Sequence, residues 1–140
     1  MTIRETAAII GAEIIQDDFE DVTLRGAYTS DLLSDVLAHA AEGDALLTIQ
    51  AHKNTVAVAV LKHIPVIIIC NSRPIPRDME DAARDHQIAL LRTGKNQFTL
   101  SGELYELLYR AGPSFFPVTE NDLHNPGKGF DPPAQGGARQ

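Results

Sequence analysis

The fold is decided by residues 43–71, which read GDALLTIQAHKNTVAVAVLKHIPVIIICN. Two apolar runs in this stretch, Ala45–Ile49 and Val66–Cys70, are rich in Val, Ile and Leu and show no polar alternation. Such runs are typical of strands covered on both faces, as in parallel sheets. About 15 residues separate them, enough for a crossover between parallel strands. The stretch therefore predicts a single small α/β domain with a largely parallel sheet flanked by helices.

Polar residues follow both predicted strands. Gln50, His52, Lys53 and Asn54 come after the first strand, and Asn71 comes directly after the second. Ligands of open parallel sheets bind beyond the carboxyl ends of the strands. Gln and Asn side chains both donate and accept hydrogen bonds, and a helix N-terminus beside Lys53 favours an anion. The alternative is that Asn54 simply caps a helix while His52 and Lys53 are solvated loop residues.

The crossover segment, Thr55–Leu61, is ambiguous because its Val residues alternate with Thr and Ala as in a strand. The small side chains, the cap candidate Asn54 and the need for a crossover favour a helix, which the Ile64-Pro65 step ends near His63. Before this stretch, the pattern predicts a helix capped by Thr2 and ended by Gly11, a strand at Glu13–Ile15, and a strand at Val22–Tyr28 in which Gly26 marks a bulge or close approach. A helix from the N-cap Ser30 to about Ala41 is predicted to bury Leu33, Val36, Leu37 and Ala40. After this stretch, the pattern predicts a surface helix at Arg77–His86, a strand at Ile88–Leu91 and a helix from Asn96 to Arg110.

Composition excludes several function classes. The chain has 140 residues, 12 basic against 19 acidic, and a formal charge of −7. Nucleic acids and anionic membrane surfaces require clustered Lys and Arg, which are absent here. The N-terminus lacks the apolar run of a signal peptide, and no run has membrane-spanning length, so a soluble cytoplasmic protein is expected. The single cysteine, Cys70, excludes an intrachain disulfide and is expected to be a small core residue.

The composition changes after Gly112. Five of the eight prolines lie in the last 28 residues, with several glycines. Such a segment buries too little apolar surface to offset the entropy of ordering. Residues 1–112 are therefore predicted to form the domain and residues 113–140 an extended or partly disordered tail. Within the tail, Ser114–Val118 is apolar and is expected to fold back on the domain, with docking on a partner subunit as the alternative.

A second polar group lies at Ser30, Asp31, Ser34 and Asp35. On one helix, Ser30 stacks over Ser34 and Asp31 over Asp35, so the two carboxylates could hold a cation or act as an acid/base pair. The alternative is a capped helix start with a solvated side. The histidines show no metal-ligand spacing, and the chain lacks phosphate-loop, dinucleotide-binding and nucleophile-elbow motifs. No catalytic residue and no metal site are predicted, and the residues name no cofactor.

Residues 26–36, GAYTSDLLSDV, and residues 48–59, TIQAHKNTVAVA, followed by an apolar strand leading into Asn71, resemble the stand-alone DRTGG-domain proteins over roughly residues 1–110. The family's name-giving residues are replaced: Ala51-His52 stands at the Asp-Arg position and 70–72 at the Thr-Gly-Gly position. The resemblance implies a regulatory or dimerising α/β module without established catalytic residues. It also implies a setting beside iron-only hydrogenase subunits and histidine-kinase-like proteins, which would be the candidate partners.

The first hypothesis is therefore a non-catalytic, homodimeric regulatory module that senses a small anionic or nucleotide-like metabolite in a redox or signalling setting. The residues expected to act together are Ser30, Asp31, Ser34, Asp35, Gln50, His52, Asn54 and Asn71. The alternative is an accessory interaction subunit without a small ligand. The least favoured hypothesis is an enzyme that uses His52 with Asp31 or Asp35 as acid and base.

Overall fold

A computed structural model describes residues 1–110, except the side chain of Arg110. The predicted tail, including Ser114–Val118, lies outside the described residues. The elements in chain order are α1 (Ile3–Ile10), β1 (Glu13–Gln16), β2 (Gly26–Thr29), α2 (Leu33–His39), β3 (Asp44–Thr48), α3 (Lys53–Lys62), β4 (Val66–Ile69), α4 (Arg77–Asp85), β5 (Ala89–Arg92) and α5 (Gln97–Arg110).

The strands form one sheet in the order β1-β5-β4-β3-β2. Strands β2, β3, β4 and β5 are parallel neighbours, and β1 pairs antiparallel with β5 at the edge. The prediction of a small α/β domain with a largely parallel sheet is thus confirmed, with one antiparallel edge strand that makes the sheet mixed. The two strands predicted from residues 43–71 lie side by side in its middle.

Helices cover both faces of the sheet. Leu47 and Ile68 point into one core with α1 and the buried Leu100 and Leu104 of α5. Their neighbours Leu46 and Ile67 point into the other core with α2, α3 and α4. Because successive side chains of a strand point to opposite faces, a run of consecutive apolar residues is what a strand covered on both faces requires.

Local capping signals hold at the first helix. The Thr2 hydroxyl accepts a hydrogen bond from the Glu5 N–H at 3.2 Å, and Gly11 ends the helix with a φ of 70°. The apolar side chains that it buries are Ile3, Ala7 and Ile10. Short-range capping thus sets where this helix begins and ends.

Two predicted N-caps are wrong. Helix α2 begins at Leu33 and has no side-chain cap; Ser30 lies before it, and its Oγ accepts from the Leu32 N–H at 3.2 Å. Leu37, predicted to be buried, is 41% exposed. Helix α3 is capped by His52 rather than Asn54, because the His52 Nδ1 accepts from the Asn54 N–H at 3.0 Å.

Strand β2 is shorter than predicted and begins at Gly26. The preceding residues bond to the N-terminus instead: the Ile3 N–H donates to the Val22 carbonyl at 3.2 Å, and the Leu24 N–H donates to the Met1 carbonyl at 2.9 Å. This competing partner keeps residues 22–24 out of the sheet. Gly26 itself pairs in regular register with Asp44.

No helix within residues 1–110 is both long and apolar enough to span a membrane.

Candidate functional site

The four parallel strands end at one edge of the sheet. The loops that follow them, residues 30–32, 49–52, 70–76 and 93–96, therefore gather at this carboxyl edge. Most of the residues singled out in the sequence lie in these loops. The loops are joined to one another by hydrogen bonds between loops and strand ends that are distant in sequence.

Asp31 is the centre of one set of these bonds. Its Oδ1 accepts from the Thr48 hydroxyl at 2.9 Å, from the Ile49 N–H at 2.8 Å and from the Gln97 side-chain amide at 3.0 Å. One carboxylate oxygen thus fastens the β2 loop to the end of β3 and to the start of α5. Asp31 is half-buried, and its first role is to position these segments.

The loop after β3 packs against the same residue. The Gln50 amide donates to the Asp31 carbonyl oxygen at 3.1 Å, and the Thr55 hydroxyl donates to the Gln50 carbonyl at 2.8 Å. The loop after β3 therefore contacts the turn at Asp31 through Gln50, and the joint action of His52 with this turn stays a prediction. His52 and Asn54 are exposed beyond it at the start of α3, where side-chain groups can face a ligand.

Asp35 forms a separate network. Its carboxylate accepts from the Tyr28 hydroxyl at 2.7 Å and contacts His39 Nδ1 at 3.0 Å. Hydrogen bonds from Tyr28, then from Ser30 and then from His39 lower the pKa of Asp35 below its ordinary value. Because α2 begins at Leu33, Asp31 and Asp35 do not stack on one helix, which corrects the predicted carboxylate pair. Ser34 is exposed on the first turn of α2.

The loop after β4 has an unusual backbone. Asn71 and Ser72 adopt φ values of 60° and 51°, the left-handed region that favours glycine. The Asn71 N–H donates to the Lys95 carbonyl at 3.0 Å and the Ser72 N–H to the Thr93 carbonyl at 2.9 Å. These bonds hold the loop against the one after β5.

An open groove of about 420 Å³ lies beside this loop. Its lining residues come from the α1–β1 turn and from the ends of β4 and β5, and they are Gly11, Glu13, Ser72, Arg92, Thr93 and Gly94. The Arg92 Nη2 pairs with the Glu13 carboxylate at 3.2 Å across the β1–β5 pair. A Cβ on Gly94 would lie 3.1 Å from the Ser72 Oγ, so glycine keeps this part of the groove open.

Cys70 lies beneath the same edge of the sheet, and its thiol has low reactivity. The thiol is fully buried at the end of β4, and this burial, followed by the negative charge of Asp31, raises its pKa to about 11. At neutral pH the sulfur is a protonated thiol, which is a poor nucleophile and metal ligand. Within residues 1–110, no three His, Cys, Asp or Glu side chains group in a way that could hold a metal ion.

Sequence reasoning missed part of the site. Gln97 lies 66 residues from Asp31, and no local signal connects the two. Arg92, Thr93 and Gly94 read as an ordinary turn after a strand, and only the pairing of β1 with β5 brings Glu13 beside them. Gly94, three residues after the end of the predicted strand, was the one signal available for a close backbone approach.

Comparisons with known proteins agree with the fold. The sequence model of the family described as HPr serine kinase N terminus matches residues 45–108, from β3 into α5. No curated protein sequence matches the chain.

Among solved structures, the chain is similar to the CBS and DRTGG domains of the regulatory region of Clostridium perfringens pyrophosphatase, crystallised with its activator diadenosine tetraphosphate. The TM-score is 0.58 at 13% sequence identity, and the match covers 74% of this chain and 45% of that one. The chain thus spans less than half of that regulatory region. The structural match shows that this chain shares the α/β fold of that CBS and DRTGG region, and the family model supports a DRTGG-like domain over residues 45–108.

Proposed function

We propose that the chain is a non-catalytic regulatory module that binds a small anionic or nucleotide-like metabolite at the carboxyl edge of its parallel strands. The observation that carries this proposal is the convergence of four loops whose hydrogen bonds run between segments distant in sequence. A ligand that moves the loop after β2 would disturb its bonds to the end of β3 and to the start of α5, because Asp31 joins these three segments. Such coupling is what a regulatory domain needs.

The proposed ligand-binding residues divide into two roles. The polar side chains exposed at the edge can contact the metabolite directly, and they are Ser34, Gln50, His52, Asn54 and Asn71. Ser30, Asp31 and Asp35 are half-buried and hydrogen-bonded within the domain. They would hold the loops in the binding geometry. The bound activator of the similar pyrophosphatase region, a dinucleotide, supports a nucleotide-like ligand for this fold.

A thermal-shift panel tests the proposal. The compounds are diadenosine tetraphosphate, ATP, AMP, acetyl phosphate and inorganic phosphate, each measured on the wild type, His52→Ala and Asn54→Ala. A ligand that binds only the native state at 100 times its Kd stabilises it by about 2.7 kcal/mol. We expect at least one compound to raise the melting temperature of the wild type, and both variants to reduce the ligand-induced shift.

The matched control is His86→Ala. His86 is exposed like His52 but follows α4 at the opposite edge of the sheet, so its removal should leave the ligand-induced shift unchanged. Because His52→Ala also removes the cap of α3, each shift is measured against the unliganded variant. If no compound changes the melting temperature of the wild type, the proposal is contradicted.

A second candidate function is an accessory interaction subunit, either as a homodimer or bound to a hydrogenase-type or histidine-kinase-like partner in the cytoplasm. Its supporting observation is a pair of exposed apolar side chains, Phe98 at 90% and Leu32 at 65%. Each is the sequence neighbour of one end of the Gln97–Asp31 hydrogen bond. Sedimentation of wild type and Phe98→Ser, and partner pull-down after truncation behind Gly112, test it. Unaltered association in both variants would count against it.

The enzyme hypothesis has a direct test. The His52 Nδ1 accepts from the Asn54 N–H, and the carboxylates of Asp31 and Asp35 are each engaged by other donors. An acid/base role for His52 would require turnover that His52→Ala abolishes. Turnover that survives this substitution would exclude the mechanism.

A further inference from the structure

We infer that the groove lined by Glu13, Ser72, Arg92 and Gly94 is an oxyanion subsite that takes a phosphate group of the ligand, with Arg92 as its anchor. The inference rests on the proposed function, because it names the part of the carboxyl edge where the charged end of the metabolite binds. The residues singled out in the sequence lie in other loops, in α2 and in α3 or, for Asn71, beside the groove.

The topology provides the first argument. After β4 the chain passes to α4, which packs in the core of one face, and after β5 it passes to α5, which packs in the core of the other. Adjacent parallel strands whose connections leave toward opposite faces open a crevice between their carboxyl ends, and ligands of open α/β sheets bind there. The helices α2, α3 and α4, which follow β2, β3 and β4, all share one face, so the connections of the parallel strands change face between β4 and β5.

Arg92 provides the second argument. Its guanidinium reaches Glu13 through Nη2 alone, at 3.2 and 3.4 Å, and Glu13 is 58% exposed. Ion pairs of this exposed kind contribute little, so an incoming anion can replace Glu13 at small cost. The planar fork of a guanidinium matches two oxygens of a phosphate, which makes Arg the preferred residue for such a site.

The backbone beside Arg92 provides the third argument. Ser72 is held at a φ of 51° by the loop after β5, with its Oγ facing Gly94. Non-glycine residues in the left-handed region cost free energy and cluster at ligand sites. The Ser72 hydroxyl can donate to an oxyanion, and the missing side chain at position 94 lets the ligand approach the backbone.

Isothermal titration tests the subsite with inorganic phosphate, AMP, adenosine and any compound that shifts the wild type. Arg92→Gln should weaken binding of the phosphate-bearing compounds roughly tenfold or more, since a hydrogen-bonded charge is lost. Glu13→Gln should strengthen it, because the competing carboxylate is gone. Gly94→Ala should weaken it without removing a charge, because Gly94 has no positive φ and only the groove is narrowed.

The controls are Arg77→Gln, an exposed arginine on α4, and Gly102→Ala, where a Cβ meets nothing within 4 Å. Both should bind as the wild type does. Binding of phosphate itself would indicate a free-anion site, and binding of AMP alone would indicate a nucleotide phosphate; either supports the subsite if Arg92→Gln weakens it.

Different results would refute the phosphate subsite and the proposed function. If Arg92→Gln and Gly94→Ala bind a nucleotide as tightly as the wild type while His52→Ala loses it, the subsite is refuted and the proposed function stands. If adenosine binds as tightly as AMP, the subsite is also refuted. If the wild type binds no compound, both proposals are overturned.

Discussion

Replacement of Asp31 by Ala removes one acceptor from three donors at once. The Oδ1 atom accepts from Thr48, Ile49 and Gln97 at 2.8 to 3.0 Å. The Thr48 side chain is buried and the Ile49 N–H is half-buried. Their bonds are therefore poorly replaced by water, and the backbone N–H of Ile49 is left without its acceptor.

The expected cost follows from these three bonds. A hydrogen bond contributes about 0.5–1.5 kcal/mol net, and more when one partner is charged. Three bonds at about 1 kcal/mol each give a loss of about 2–4 kcal/mol in the free energy of unfolding. The lower end of this range allows for the exposed fraction of Asp31. With a urea m-value of about 1.5 kcal/mol/M, the unfolding midpoint falls by about 1.3–2.7 M.

Urea unfolding followed by circular dichroism measures this loss. Asp31→Asn keeps an oxygen acceptor of the same shape, so it should cost less than half as much as Asp31→Ala. Gln97→Ala, combined with Asp31→Ala in a double-mutant cycle, should show a coupling of about 1 kcal/mol. Asp85→Ala, on the exposed end of α4, is the neutral control. A cost of Asp31→Ala within about 0.5 kcal/mol of this control, the range of ordinary surface substitutions, would refute the positioning role.

Three further substitutions are expected to raise the free energy of unfolding, to lower it, or to change its pH dependence. Ser72→Gly should raise the free energy of unfolding by about 0.5–1 kcal/mol in urea titrations, because it relieves a φ of 51°. Gly43→Ala should lower the same quantity by about 1–2 kcal/mol, since φ is 85° and the new Cβ would lie 2.5 Å from the Arg25 Cδ. Asp35 stabilises the fold above its ordinary pKa of 3.8, and this contribution is lost as pH falls through the lower folded pKa. Urea titrations between about pH 6 and pH 2.5 should therefore show a weaker pH dependence for Asp35→Asn than for the wild type.

Each of these has a control on the same molecule. Ser34→Gly lies in helix α2, where glycine should destabilise rather than stabilise. Gly102→Ala lies in α5 with open space for a Cβ, so it should stabilise where Gly43→Ala does not. A wild-type pH dependence in Asp35→Asn would show that another group controls the acid transition.

Residues 43–71 by themselves determined the centre of the fold. Their two runs without polar alternation can only be buried on both faces, and the chain between them has the length of a helical crossover. The first helix was equally readable, because Thr2 and Gly11 act on backbone groups within a few residues. These are short-range energies, and the sequence contains all the information that they need.

The tertiary structure decided what the sequence left open. Asn54 and His52 are both acceptable caps for α3, and the loop geometry between β3 and α3 selected His52. The N-terminus competed for residues 22–24 and shortened β2.

The candidate site depended most on contacts across the chain. Asp31 meets Gln97 because α5 crosses back toward β2, and Glu13 meets Arg92 because β1 runs antiparallel to β5. The crevice between β4 and β5 exists because α4 and α5 leave for opposite faces. The packing of the whole domain sets the strand order and the face on which each helix lies, and no single stretch of sequence carries the energy difference between the alternatives. The sequence therefore determined which edge of the sheet bears the polar loops. The packed sheet decided which of the side chains in those loops meet.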